Sequence, residues 1–139
     1  MGKILITGVA GLLGSRLADW IVKNTDYKVV GIDDLSGGFS ENINRDVEFY
    51  KFNLIDLQAL KGVFEKENIE IVYHFAAYAA EGLSPFIRKY NYENNLIAST
   101  NLITCSIQYN ISRFVFASSM SVYGNKYDPP FKEELPQAP

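Results

Sequence analysis

The 139-residue sequence holds one cysteine, one histidine and one tryptophan, and each scarcity excludes something. A single cysteine forms no internal disulfide, so the chain is compatible with a reducing compartment. Cys105 lies among apolar neighbours in a helical stretch and is expected to be a core thiol. His74, with one distant cysteine, builds no ligand set, and no metal is expected. The 13 basic and 16 acidic residues are scattered and leave a net charge of −3, so neither nucleic acid nor an anionic membrane surface is expected as a partner. No stretch approaches the roughly 20 apolar residues of a membrane span. Met1-Gly2-Lys3 runs directly into an apolar segment without a leader pattern. The expected location is the cytoplasm. What remains is ordinary globular composition, 47% hydrophobic and 21% charged, in a chain the size of one domain.

Apolar runs alternate with helical periodicity throughout. Lys3-Ile4-Leu5-Ile6-Thr7 is short and nearly continuous, as a strand buried on both faces would be. After a glycine turn, Leu12, Leu13, Leu17, Trp20 and Ile21 recur at helical spacing through Asn24, with Arg16, Asp19 and Lys23 facing away. Further strands are predicted over 28–32, 47–52, 69–76 and 113–118. Asp56 is a suitable N-cap for a helix ending near Glu67, and Pro85 suits the start of one long helix reaching Asn110. The aromatics Phe64, Tyr73, Phe75, Tyr90 and Tyr92 follow apolar faces and are expected mostly in the core. The tail beyond Tyr123-Gly124 has no periodicity. Right-handed crossovers would wind these elements into an α/β fold, a Rossmann-type doubly wound parallel sheet of strand order 3-2-1-4-5.

The sharpest chemical signal is Thr7-Gly8-Val9-Ala10-Gly11-Leu12-Leu13-Gly14, set between the first strand and the first helix. Gly8 permits a tight turn, Gly11 lets the backbone approach a pyrophosphate at the positive end of the helix, and Gly14 lets the helix lie close on the sheet. Asp33 follows nineteen residues after Gly14, at the end of the second strand, where a carboxylate can accept both hydroxyls of an adenosine ribose. Its charge would repel a 2′-phosphate, and the next arginine is Arg45, so NAD is expected in preference to NADP. Asp34 beside it reads as a second cofactor contact or as a solvated turn acid.

The GxxGxxG spacing, with Thr7 before it, resembles the extended short-chain dehydrogenase family of NAD-dependent epimerases and dehydratases. His74-Phe75-Ala76-Ala77 is similar to the family segment lining the pyrophosphate and nicotinamide ribose. Tyr92-Glu93-Asn94-Asn95-Leu96 resembles the asparagine-bearing long helix under the active site, and the stretch from Phe114 to Gly124 resembles the fifth strand with its catalytic serine segment. The resemblance implies cofactor contacts from Gly8, Ala10, Gly11, Leu12, Leu13, Gly14, Asp33, Asp34, Asn53, Leu54, Phe75, Ala76, Ala77, Asn94 and Ser118, with Ser119 as the catalytic serine and Ser121 as its helper. Phe52-Asn53 stands where the family usually has Gly-Asp, Asn53 keeping a carbonyl for the adenine amino group. Ala79 replaces a lysine, and 80–84 lacks the usual valine-rich character, so no particular sugar is indicated.

In this family the serine works with a tyrosine and a lysine four residues later, which together take the proton as a sugar hydroxyl is oxidised. None of the nine tyrosines here has lysine four residues on; Tyr109, with Arg113, comes nearest. The expectation is therefore an incomplete NAD-binding domain over 1–139, ending before the sixth strand and the substrate domain and turning over negligibly alone. The complete enzyme would act on a nucleotide-sugar. The exposed edge of the fifth strand is expected to drive homodimerisation or aggregation. A non-catalytic dinucleotide-binding or sensing module, and an NAD(P)-dependent reductase of the same family, are the alternatives.

Overall fold

The computed structural model describes residues 2–80 and 82–139; Met1 and Glu81, the latter within the 80–84 segment, lie outside the described residues. Five parallel strands form one sheet: β1 Lys3–Thr7, β2 Lys28–Asp33, β3 Glu48–Lys51, β4 Ile69–His74 and β5 Arg113–Phe116. Their order is β3-β2-β1-β4-β5, as the alternation of elements predicts. Side-chain alternation explains why the central strands read as unbroken apolar runs. Leu5, Val30, Ile32 and Val72 enter a core with Leu60, Phe64, Leu102 and Cys105, whereas Ile4, Ile6 and Val29 enter a second core with Ala18, Ile21 and Val47. One sheet thus separates two cores, and helices cover both faces.

Helix α1, Leu12–Asn24, has the predicted bounds but not the predicted stripe. Gly14, Ser15, Ala18 and Ile21 are buried, while Leu12, Leu13 and Trp20 are exposed. The helix lies so near the glycine turn that only small side chains fit beneath its first turns. Helix α2, Leu57–Lys66, begins as expected at Asp56, whose carboxylate accepts from the amides of Gln58 and Ala59 at 3.1 and 3.0 Å.

The helix predicted over 85–110 is interrupted. It begins at α3, Arg88–Asn91, passes through a π turn at Tyr92–Ile97, and continues as α4, Ala98–Gln108. Residues 82–86 form turns ahead of it, so Pro85 does not open the helix. Tyr92 is 63% exposed and Tyr90 is near the surface, so these two aromatics are not core residues. In the π turn the Ala98 amide reaches back to Glu93. Hydroxyls of Ser99, Thr100, Thr104 and Ser106 each donate to the carbonyl four residues earlier, a pattern that loosens regular helix geometry. Strand β4 stops at His74 and β5 at Phe116, each two residues before the predicted end; β2 reaches one residue further, to Asp33. No helix among the described residues is long and apolar enough to cross a membrane.

Strand register lines up the carboxyl ends: Thr7 is level with Ile32 and His74, Asp33 with Lys51, and His74 with Phe116. At the opposite end the charges close on one another. The Glu67 carboxylate, 2% exposed, pairs with Lys3, accepts from the Tyr50 hydroxyl at 2.6 Å and lies 3.5 Å from Lys66. Glu48 joins through Lys3 and Lys66, each at 3.1 Å, and these two cations hold its carboxyl down to about 2. A carboxyl depressed below its unfolded value stabilises above about pH 4.3 and loses that contribution as pH falls towards 2. Lys3→Met strands the Glu67 carboxylate without its main cation, and chemical denaturation should record a loss of about 2 kcal/mol at pH 7. The same substitution should flatten the decline of stability below pH 4.

Candidate functional site

A cleft of about 170 Å³ opens at the carboxyl ends of the strands, around β1 and β4, where the strand order reverses. It is the position in which open α/β sheets take ligands. Gly8 and Gly11 form its floor. Gly8 has φ +71, and a Cβ there would come within 2.7 Å of the Ala76 nitrogen. A Cβ on Gly14 would overlap the Gly8 carbonyl, so α1 can sit where it does only without one. Gly11 is the N-cap of α1 and offers no side-chain acceptor, which leaves the first-turn amides to whatever lies ahead of them.

Asp33 is fixed from two sides: Oδ2 accepts from the Ala10 amide at 3.0 Å and Oδ1 from the Leu35 amide at 2.8 Å. The acid at the end of β2 therefore holds the glycine turn as well as facing the cleft. Ala10 is further pinned through its carbonyl by the Asn42 side chain at 2.9 Å and the Phe39 amide at 3.3 Å. Asp34 accepts from the Ser36 amide at 2.8 Å and from Asn53 Nδ2 at 2.7 Å. Burial alone would raise its carboxyl, but the hydrogen bonds from Ser36 and Asn53 outweigh it and hold the group below its ordinary value. Asp34 is thus a structural acid of the wall rather than a free turn acid.

Asn53 links the walls, its Nδ2 also donating to Asn94 Oδ1 at 2.8 Å. Its Oδ1, the atom expected to meet adenine, accepts from the Ile55 amide at 3.0 Å and keeps a second lone pair. Leu54, Phe75, Ala76 and Ala77 complete the predicted lining together with Asn94. Tyr78 and Tyr90, with ring centroids 5.0 Å apart at 90°, also line the cleft, as do Ser36, Gly37 and Gly38. Sequence reasoning missed these; the readable hint was the Ser36-Gly37-Gly38 loop, since a Cβ on Gly38 would meet Ala10 at 2.7 Å.

Leu12 and Leu13 expose their side chains at the start of α1, where their amides lie in the uncapped first turn and Leu12 lines a second groove with Ala10 and Gly11; Ser118 and Ser119 are exposed beyond β5, outside the lining of the cleft. Ser119 Oγ is 2.6 Å from Ser121 Oγ and accepts from the Ser121 amide at 3.2 Å, capping a short 3₁₀ turn. This segment leaves the sheet beside His74, whose carbonyl takes the Ala117 amide at 3.2 Å. His74 itself is 2% exposed and bonded through both ring nitrogens, to Thr7 Oγ1 at 2.6 Å and Ser99 Oγ at 2.8 Å. Burial pushes its pKa down to about 4, so it is neutral at pH 7.

The arrangement fits a dinucleotide: a turn that cannot carry side chains at Gly8 and Gly14, uncapped helix amides, and an anchored acid one strand over. The sequence model of the NAD dependent epimerase/dehydratase family matches residues 4–139. The chain belongs to that family. Among its curated relatives, a UDP-glucose 4-epimerase of Bacillus subtilis (strain 168) is 36% identical over 96% of this chain and 41% of its own length. A dTDP-D-glucose 4,6-dehydratase of Dictyostelium discoideum is 36% identical over 88% of this chain and 30% of its own. The solved UDP-glucose 4-epimerase of Bifidobacterium longum, in complex with NAD+ and UDP, superposes with a TM-score of 0.90 at 28% identity, covering 98% of this chain and 42% of that one. The chain therefore spans roughly a third to two fifths of the length of these epimerase/dehydratase relatives.

A histidine whose pKa falls from about 6.5 unfolded to about 4 folded makes the unfolded state bind more protons between those values. Stability should thus decline from pH 6.5 to 4, by up to about 3 kcal/mol from this group. Denaturant melts of wild type and His74→Gln over that window should show the variant lacking this part of the slope.

Proposed function

We propose that this chain carries the NAD-holding part of a nucleotide-sugar epimerase or dehydratase. The observation that carries the reading is the Asp33 carboxylate, held by the Ala10 and Leu35 amides beside the uncapped start of α1. In that position it accepts the ribose hydroxyls, while the amides of the glycine turn and first helical turn receive the pyrophosphate. Adenine sits against Asn53 and Leu54, and Phe75, Ala76, Ala77 and Asn94 bound the nicotinamide side. Bound NAD supplies the acceptor for a hydride from a sugar carbon. Ser119 orients the sugar hydroxyl, with Ser121 sharing its proton. The nucleotide-sugar names of the epimerase and dehydratase relatives support the substrate class.

No tyrosine in the sequence is followed four residues later by lysine, so no phenolate of the family's kind is available from these residues. Epimerase assays with UDP-glucose and NAD should give background rates; ordinary turnover would overturn this assignment. The β5 edge, with Phe116 59% exposed, supports self-association as a homodimer, which sedimentation at rising concentration should record as a shift from monomer.

Calorimetric titration tests the binding reading directly. NAD should bind, NADP should bind at least about tenfold more weakly because Asp33 opposes its 2′-phosphate, and Asp33→Asn should shrink that preference, its single amide oxygen keeping an acceptor for one of the Ala10 and Leu35 amides. Equal affinity for both dinucleotides, or binding of neither, would remove the reading.

A further inference from the structure

His74 lies directly beneath the cleft, yet the binding scheme above gives it no task. Its surroundings fix the position of every proton. Ser99 has one hydroxyl proton, which goes to the Asn95 carbonyl at 2.6 Å. Ser99 Oγ must then accept in its 2.8 Å contact with His74 Nε2, so Nε2 carries the ring proton. Nδ1 is left as the acceptor, and the Thr7 hydroxyl donates to it at 2.6 Å. Thr7 Oγ1 in turn accepts from the Ala76 amide at 3.3 Å. The donors run in one direction: from the loop after β4, through the last residues of β1 and β4, to the carbonyl of Asn95 inside the π turn.

That turn is where the cleft walls are tied together. Asn95 clamps Tyr78 at both backbone atoms, its Oδ1 accepting from the Tyr78 amide at 2.7 Å and its Nδ2 donating to the Tyr78 carbonyl at 2.9 Å. Asn94, the residue before it, takes the Asn53 amide at 2.8 Å and donates to the Tyr90 carbonyl at 2.9 Å. Two consecutive asparagines thus hold the loops after β3 and β4, and both loops line the cleft. π turns are rare departures from regular helix, concentrated at functional sites, and this one has its Asn95 carbonyl held from below by Ser99.

We propose that His74, held as its Nε2–H tautomer, is a positioning residue for the cofactor cleft: through Ser99 it fixes the π turn that sets Asn94 and Asn95 against the two cleft walls. The effect on cofactor affinity rests on the NAD reading above, whereas the effect on the walls does not.

Since His74 is the only histidine, selective ¹⁵N-histidine labelling gives a single ring in the NMR spectrum. It should show a protonated Nε2 and an unprotonated Nδ1; an Nδ1–H ring, or two exchanging tautomers, overturns the relay. Ser99→Ala cuts the relay below the ring without opening the sheet core. It should speed exchange of the Tyr78 amide about tenfold, leave the buried Val72 amide of β4 unchanged, and weaken NAD about three- to tenfold, the worth of one hydrogen bond. Ser99→Thr, which keeps the hydroxyl, should restore both. Unchanged Tyr78 exchange in Ser99→Ala overturns the positioning role, as does altered exchange with unchanged NAD affinity. If the wild-type chain binds no NAD, the cleft reading falls by itself, while ring tautomer and Tyr78 exchange still decide what His74 does to the walls.

Discussion

The approach of α1 to the glycine turn is the constraint on which the site depends. A methyl group on Gly14 would occupy the space of the Gly8 carbonyl, so a single hydrogen in place of a side chain lets the helix start against the sheet. From that closeness follow the small residues beneath α1, the exposure of Leu12, Leu13 and Trp20, and the presentation of the first-turn amides towards the strand ends. It also brings the Ala10 amide within 3.0 Å of Asp33, so the acid and the turn are one hydrogen-bonded unit rather than two features that happen to face each other.

The two ends of the sheet use charge in opposite ways. At the amino end, Lys3, Glu48, Tyr50, Lys66 and Glu67 satisfy one another, and the buried Glu67 is tolerated because three partners surround it. At the carboxyl end, Asp34 is consumed by Ser36 and Asn53, but the helix amides at Gly11 meet no capping side chain. The first arrangement closes a surface; the second leaves donors for an anion.

Much of this was legible in the sequence, for identifiable reasons. Strand order, the bounds of α1 and the Asp56 cap follow from period and from capping chemistry, which act over a few residues. The glycine turn and Asp33 were legible because their spacing encodes a job for backbone. The π turn was not. It is set by the relay from Thr7 through His74 and Ser99, whose members are 67 and 25 residues apart in the chain, and no local period reports such a contact. The run of Ser99, Thr100, Thr104 and Ser106 was a faint sign that the helix would not be regular. Tyr90 was missed for a related reason: aromatic periodicity indicated a core, whereas the interrupted helix turns it to the cleft, and Tyr78, in the loop after β4, belonged to no periodic segment.

Cys105 is fully buried on the inner face of α4, and burial pushes its thiol pKa up, only partly offset by Lys61. A thiol that is both inaccessible and protonated is inert to alkylation. For labelling chemistry the folded chain is therefore already cysteine-free. A cysteine introduced at Ser36 on the cleft rim, or at Ser121 beside the serine pair, would take a maleimide dye or spin label at one position with the native residue left in place.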